Sequence, residues 1–414
     1  MNQKILLNSP IRFWLTLLIV LPVLITSCYK QAVKDIPSKL PGLPTIAQML
    51  DSIPDFKLFN AAMKKAGADS ILSSSDLSTV FCLKDADMIA GGLDQQTIQT
   101  LSADSLMKIM LYHIANGALA EDYLKNAGSY IHVLTRRRDV SFTSQAGFKQ
   151  FKHMIYVKIK DGKLYINAKL CNDAPEVIQA SNGLLYTIKA PLRPAEKTIY
   201  DELSSRPELS YYKAAIDILD SLYRVDRRNI NSFPRKPWPI EFFTATSDDL
   251  QRYLNLSVDY NNIYALPTVL APVNDAFIDA GFATIDDIRA YIRRTTIANL
   301  QSSRYAHLDS TLRAHIIFNR NNRASDLLFS DDILSNQQIN NGIYNMNYYS
   351  SIINPWGGLD DSYTIFSVNG SEVNIRPSTR EVFTPARMLM NGRDIFTKNG
   401  IIHEIDKLFF PIQD

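Results

Sequence analysis

The sequence is poor in cysteine and carries almost no net charge, and each shortage excludes a class of protein. Three cysteines, Cys28, Cys82 and Cys171, occur in 414 residues, which excludes a disulfide-rich scaffold. The 44 basic and 42 acidic residues leave a net charge of +2, so no overall field favours nucleic acid as a partner. With 46% hydrophobic and 21% charged residues, the chain has the composition of a globular protein, and its length predicts two domains.

Motifs of catalysis are also missing. Gly-x-Ser-x-Gly, His-Glu-x-x-His, Gly-x-Gly-x-x-Gly and the phosphate-binding loop do not occur. The six histidines are scattered, and none pairs with another at the spacing of metal ligands. No pair of carboxylates stands out as acid and base. We therefore predict a protein that is not an enzyme and that holds neither a cofactor nor a metal.

The apolar run near the N-terminus is too short to cross a bilayer as a mature helix. It covers the 13 residues from Phe13 to Ile25, whereas a spanning helix needs about 20. Lys4 and Arg12 precede it, and small residues lead from it to Cys28, which is typical of a secretory signal. The sequence Ile-Thr-Ser-Cys resembles a bacterial lipobox, which implies that Cys28 is acylated. A plain signal peptide with an incidental cysteine is the alternative.

The lipobox interpretation predicts a signal peptide at 1–27 and a polar, proline-containing tether at 28–44. Several acyl chains on one residue suffice for stable anchoring in a membrane. Asp is absent after Cys28, which removes one inner-membrane retention signal and favours the outer membrane. We expect the body of the protein at the cell surface, and a periplasmic orientation stays open.

Two stretches have the same pattern, TVLAPVNDAF at Thr268–Phe277 and TVFCLKDADM at Thr79–Met88. Each predicts a short buried strand that turns into a helix, an arrangement that we call the corner. Pro272 closes the strand, and Asn274 or Asp275 offers an oxygen that caps the helix. Possible capping boxes also recur, beginning at Thr45 and Thr198. The repetition predicts two copies of one domain, at 45–195 and 196–414.

The stretch at Thr268–Phe277 resembles the first signature of fasciclin-like domains, Thr-Val-Phe-Ala-Pro-Thr-Asn-x-Ala-Phe. Tyr112-His113 resembles the family's middle signature, and the segment that begins with Asn399-Gly400 resembles its closing signature. The resemblance implies an α+β fold in which each domain is a β-sandwich or wedge with several packed helices. It also implies adhesion or ligand binding rather than catalysis. Cys82 and Leu83 replace the family's Ala and Pro, which predicts a looser first corner.

Three histidines occupy signature positions. Helical spacing places His113 on the buried face of its helix, and His315 corresponds to it in the second repeat. His403 lies on the last strand, where the first repeat has Tyr186. The sharper interpretation is an adhesion or ligand site at Tyr112 and His113. We favour the other, in which a core histidine donates a ring N–H to a backbone carbonyl, because buried polar groups need partners. We interpret His403 as structural as well.

Aromatic residues are concentrated in the second repeat, and they are the candidate binding residues. Exposed rings among Asn and Gly suit sugar stacking or protein hot spots, although a long β-hairpin whose rings pack on the domain would use the same residues. The candidates are Trp238, Tyr344, Tyr348, Tyr349 and Trp356.

A local surplus of positive charge lies at 136–163, with eight Arg or Lys. It could meet an acidic glycan or a phosphate-bearing surface, but a solvated strand face is the interpretation we favour.

These observations predict an outer-membrane lipoprotein for adhesion or for binding a protein or polysaccharide ligand. The alternative function is an accessory lipoprotein of an outer-membrane glycan-uptake complex. Both predict contact with the membrane through the N-terminal lipid, and neither involves nucleic acid.

Overall fold

In the computed structural model the described residues are 42–138, 141–144, 147–150, 153–218, 268–295, 311–312, 315–317, 327–335, 363–378, 385–398 and 400–409. They form helices and small sheets, so the predicted α+β class is confirmed. The buried apolar cluster of the first repeat runs from Ile46 to Leu192, and the clusters of the second begin at Ile199. The predicted domain boundaries themselves stay predictions.

Helices surround the core of the first repeat. Its first helix begins with the predicted capping box, in which Thr45 N–H donates to Gln48 Oε1 at 2.8 Å and Gln48 N–H donates to Thr45 Oγ1 at 3.3 Å. The helices are α1 (Ile46–Ser52), α2 (Lys57–Lys65), α3 (Asp69–Ser73), α4 (Asp85–Ala90), α5 (Gln95–Thr100), α6 (Ala103–Met110) and α7 (Glu121–Asn126), with 3-10 turns at Pro54–Phe56 and Leu111–His113.

The strands of the first repeat form a mixed four-stranded sheet in the order β2-β1-β10-β9, an antiparallel sheet in the order β3-β6-β7-β8, and the hairpin β4-β5. In the first sheet β1 and β10 are parallel neighbours. Asp161 and Gly162, with φ of 52° and 74°, make the predicted tight turn between β6 and β7. The strands are β1 (Ser78–Leu83), β2 (Ile114–Asn116), β3 (Ile131–Leu134), β4 (Ser141–Ser144), β5 (Gly147–Gln150), β6 (Met154–Lys160), β7 (Lys163–Ile166), β8 (Lys169–Asn172), β9 (Val177–Ala180) and β10 (Gly183–Ile188).

The second repeat opens in the same way, with a capping box between Thr198 and Asp201. Its helices are α8 (Ile199–Ser205), α9 (210–218), α10 (Asn274–Asp279), α11 (Ile285–Thr295) and α12 (Ser330–Ser335), with 3-10 turns at Pro207–Leu209 and Met390–Gly392. Its strands are β11 (Thr268–Pro272), β12 (Ile316–Ile317), β13 (Tyr363–Asn369), β14 (Glu372–Ser378), β15 (Ala386–Arg387), β16 (Ile395–Thr397) and β17 (Gly400–Ile405).

The central sheet is built twice. The order β12-β11-β17-β16 repeats the order β2-β1-β10-β9, and β11 and β17 are parallel as β1 and β10 are. In each repeat the corner strand (β1 or β11) therefore lies beside the closing strand (β10 or β17), although more than 100 residues separate the two. The parallel pair is buried because helices cover it, which is the usual setting of parallel strands.

Two predictions about the corner are wrong. Asn274 does not cap its own helix: Val273 is the N-cap, so Asn274 is already helical. Its Oδ1 accepts the Tyr211 N–H at 3.0 Å, and its Nδ2 donates to Pro207 O at 2.9 Å, so it caps the helix of another segment. Nor is the first corner looser, because every residue of β1 is buried and pairs with β10 despite Cys82 and Leu83.

The favoured prediction of a solvated strand face is wrong for β6. Tyr156 is 1% exposed and Lys158 is 5% exposed. The second repeat covers this face of the strand, since Leu327, Phe329 and Ile401 form one buried cluster with Tyr156. The face of the sheet β3-β6-β7-β8 that carries Tyr156 and Lys158 is therefore an interface between the repeats.

Candidate functional site

A pair of histidines makes the same contacts in the two repeats. Nδ1 of His113 lies 2.9 Å from Ile109 O, and Nδ1 of His315 lies 2.8 Å from Thr311 O. Nε2 of each ring accepts a backbone N–H from the closing segment of its repeat, Leu192 at 2.9 Å and Phe409 at 3.0 Å. Since Nε2 accepts, the proton sits on Nδ1 and is donated to the carbonyl. Each ring thus joins the end of its own helix to the end of its repeat.

Burial sets the charge of these rings. His113 and His315 are both fully buried, and desolvation lowers the pKa of His113 to about 4 and that of His315 to about 3. Both imidazoles are therefore neutral near pH 7. This geometry favours the interpretation of a core histidine over that of a ligand site at the surface.

The corner threonine organises a second repeated contact. Thr79 Oγ1 accepts the Leu119 N–H at 2.8 Å, and the carbonyl of Leu119 accepts the Tyr186 hydroxyl at 2.6 Å. The second repeat makes the equivalent contacts with its own residues: Thr268 Oγ1 accepts the Leu328 N–H at 3.1 Å, and His403 Nε2 donates to Leu328 O at 2.7 Å.

Tyr186 and His403 therefore make the same contact with different side chains, because each donates a hydrogen bond to the backbone carbonyl of the residue that is bound to the corner threonine. Both lie on the closing strand, opposite Phe81 and Leu270 of the corner strand. His403 is fully buried, and desolvation lowers its pKa, which keeps Nδ1 free to accept the Asp394 N–H at 3.2 Å. His403 is therefore a further buried ring that links strands, and it is not exposed to solvent.

The remaining signature residues in the described part of the chain are also buried. The Tyr112 hydroxyl donates to Met154 O at 3.3 Å and accepts from Asn167 Nδ2 at 3.1 Å, and burial raises the pKa of Tyr112. Gly400 is buried at the start of β17, while Asn399 lies outside the described residues.

In the first repeat, Asn182 occupies the place of Asn399. Its Oδ1 accepts the Ile46 N–H at 2.8 Å, and its Nδ2 donates to Leu72 O and Ser74 O. The Asn of this signature therefore fastens the first helix to the closing strand.

The candidate binding residues and the candidate lipidation site cannot be placed. Trp238, Tyr344, Tyr348, Tyr349, Trp356 and Cys28 lie outside the described residues. Their roles stay predictions. In the described part of the chain, no group of three or more His, Cys, Asp or Glu side chains could hold a metal ion. The described helices include none with the length and apolarity to cross a membrane.

One surface feature of the first repeat was not predicted from the sequence. A groove of about 380 Å³ lies beside β9, the outermost strand of the central sheet. Its lining is mostly small and apolar, and Glu121, which pairs with Lys125 at 2.7 Å, is its charged member. Small residues on separate elements gave no periodic signal, so the sequence could not indicate it.

Comparison with known proteins identifies a known domain in the first repeat. Residues 54–194 match the model of the fasciclin domain. Among solved structures, the chain is similar to a FAS1 domain pair from the insect cell adhesion molecule Fasciclin I, at 15% sequence identity. That match covers 86% of this chain and 96% of the other, with a TM-score of 0.31. The search of curated proteins found no match.

Proposed function

We propose that this chain, whose residues 54–194 match the fasciclin domain, belongs with the fasciclin-like proteins and is a lipid-anchored surface protein that binds a protein or polysaccharide ligand. Fasciclin domains are in general non-enzymatic and related to adhesion, and this match is the observation that carries the proposal. The anchor and the ligand class rest on the sequence patterns at Cys28 and in the second repeat.

The chemistry of the signature histidines does not favour a catalytic role for them. A general acid or base needs an accessible ring whose pKa lies near the working pH. His113, His315 and His403 are buried, have lowered pKa values, and spend both ring nitrogens on backbone contacts. Nucleophilic catalysis is not supported by Cys82 either, because burial raises the pKa of its thiol to about 12.

The binding face in this proposal is the aromatic segment of the second repeat, with Tyr344, Tyr348, Tyr349 and Trp356, together with Trp238. Flat rings beside Asn side chains supply apolar contact area and hydrogen bonds at once, as sugar and peptide recognition both require.

Glycan arrays and pull-downs with the full-length protein in detergent test the ligand. We expect a retained ligand whose binding falls at least tenfold when Tyr344, Tyr348 and Trp356 are replaced together by Ala, since each lost ring contact weakens binding. The matched control is Tyr123→Ala, which removes a tyrosine that is 43% exposed on the first repeat. Equal loss in the control and the triple variant would contradict the proposed face.

Metabolic labelling with a fatty acid and fractionation of cells test the anchor. The wild-type protein should carry label and sediment with outer membranes, and Cys28→Ser should abolish both. Cys171→Ser, at a half-buried cysteine of the folded part, should change neither. Unlabelled wild-type protein would refute the anchor, and protease shaving of intact cells then shows which side of the membrane the body faces.

A further inference from the structure

The strongest unexplained feature is a set of charges buried between the repeats. Lys158, on β6 of the first repeat, is 5% exposed, and its ammonium lies 2.7 Å from Asp331 Oδ2 and 2.8 Å from Asp332 Oδ1 on helix α12 of the second repeat. Lys160, two residues along the same strand face, also pairs with Asp331. Two lysines thus face two aspartates across the interface.

The buried charges of this cluster make further contacts with groups from both repeats. The Tyr130 N–H of the first repeat donates to Asp332 Oδ2 at 3.1 Å, and the Lys158 ammonium lies 5.3 Å from the centroid of the Tyr130 ring. Ser335 Oγ accepts from Lys158 at 3.4 Å. A buried charge tolerates its environment only when it is paired and hydrogen-bonded. Lys158 and Asp332 meet that requirement only while the repeats are in contact.

Aromatic rings seal one side of this charge cluster. Phe329, immediately before helix α12, lies 4.4 Å from Tyr130 and 5.1 Å from Tyr156 between ring centroids, and Phe396 lies 5.9 Å from Tyr156. Tyr130 and Tyr156 belong to the first repeat, and Phe329 and Phe396 belong to the second. Low-dielectric surroundings strengthen the neighbouring ion pairs, so the rings and the charges support each other.

The connection between the repeats is also tied to each of them. The Arg137 guanidinium, on the first repeat, pairs with Glu196 at 3.1 Å, and the Lys398 N–H of the second repeat donates to Lys197 O at 2.8 Å. The connecting residues are therefore bonded on both sides.

We propose that Lys158 and helix α12 form an interdomain lock, which fixes the two repeats as one rigid unit and holds them at one relative orientation. The lock is composed of Lys158, Lys160, Asp331 and Asp332 with the ring cluster beside them. Its consequence is that any ligand-binding surface on the second repeat keeps a fixed geometry relative to the first. This proposal does not depend on the proposed ligand, because it rests only on contacts between the two repeats.

Calorimetry and small-angle X-ray scattering on the full-length protein in detergent-free amphipol test the lock. The wild-type protein should unfold in one transition. Lys158→Met leaves Asp332 buried without its ammonium, and breaking a buried pair in this way should split the transition, with the lower Tm reduced by on the order of 10 °C. The radius of gyration should rise as the repeats separate. Lys163→Met, at an exposed lysine on the adjoining strand, is the matched control and should change neither quantity.

A second comparison separates a lock from a local loss of stability. The double variant Lys158→Met with Asp332→Asn removes both charges together, so it should recover most of the Tm lost by either single variant and restore the compact radius. Two transitions in the wild-type protein would overturn the proposal. So would a Lys158→Met variant that loses Tm while its single transition and its radius stay those of the wild type.

Discussion

Replacement of His113 by Leu should change how the stability of the protein depends on pH. The ring is fully buried, and desolvation lowers its pKa from 6.5 to about 4, so the folded protein keeps it neutral where the unfolded chain protonates it. The unfolded state binds more protons in the window between pH 6.5 and 4, and stability therefore rises with pH there. Relative to pH 8, this ring should cost the wild-type protein about 2 kcal/mol of unfolding free energy at pH 5, and more by pH 4.

His113→Leu removes that titration and also leaves the Leu192 N–H without its acceptor. We expect the variant to be less stable than wild type by about 1–3 kcal/mol at pH 8, because a buried donor is then unpaired. At pH 5 the difference in stability between variant and wild type should shrink by about 2 kcal/mol. The reason is that protonation of His113 stabilises the unfolded state of the wild-type protein, whereas the variant lacks this group.

Urea unfolding of wild type and variant at several pH values between 8 and 4.5 measures both effects. Tyr186→Phe is the control: it removes the buried hydrogen bond to Leu119 O, but burial raises the pKa of that hydroxyl above its ordinary value of 10, so the pH dependence between 8 and 4.5 should stay unchanged. A deficit for His113→Leu that is the same at pH 8 and pH 5 would refute the reasoning, because it would mean that the ring titrates alike in the folded and unfolded states.

The other predictions concern the closing strand of the first repeat and use the same urea assay. Gly183→Ala should destabilise the protein by more than about 3 kcal/mol, because φ is 148° and a Cβ would lie 1.8 Å from Ser78 O. Gly117→Ala is its control, and it should cost only about 1–2 kcal/mol, because φ is 85° there but the space around the Cβ is open. Asn182→Ala should cost about 3 kcal/mol or more, since three hydrogen bonds of a side chain that is 1% exposed are lost, whereas Asp94→Ala, at an exposed N-cap, should cost about 1 kcal/mol. Equal costs within either pair would contradict these assignments.

Local patterns allowed much of the fold to be predicted. The capping boxes at Thr45 and Thr198 and the turn at Asp161 and Gly162 each depend on residues within a few positions, so short motifs specify them. The recurrence of the corner at Thr79 and Thr268 predicted two copies of one domain. The strand order of the central sheet does recur, while the predicted domain boundaries stay predictions.

What the sequence did not predict depends on contacts between distant segments. Lys158 alternates with apolar residues as a solvated strand residue does, and only the position of helix α12, more than 170 residues later, makes it buried. Asn274 has the residue type of a cap for the helix it begins, but Pro207 O and the Tyr211 N–H at the start of helix α9 lie close enough to take its hydrogen bonds. The aromatic candidates of the second repeat lie outside the described residues, so their predicted role stays a prediction.

The central claim is that one structural unit is built twice, and the protonation of the histidine rings tests it most directly. Long-range proton–nitrogen NMR spectra of the imidazoles should show His113 and His315 with the proton on Nδ1 and no titration above pH 5, and His403 with the proton on Nε2. A His315 ring that carries its proton on Nε2, or that titrates near pH 6.5, would show that the second half lacks the contact that defines the first.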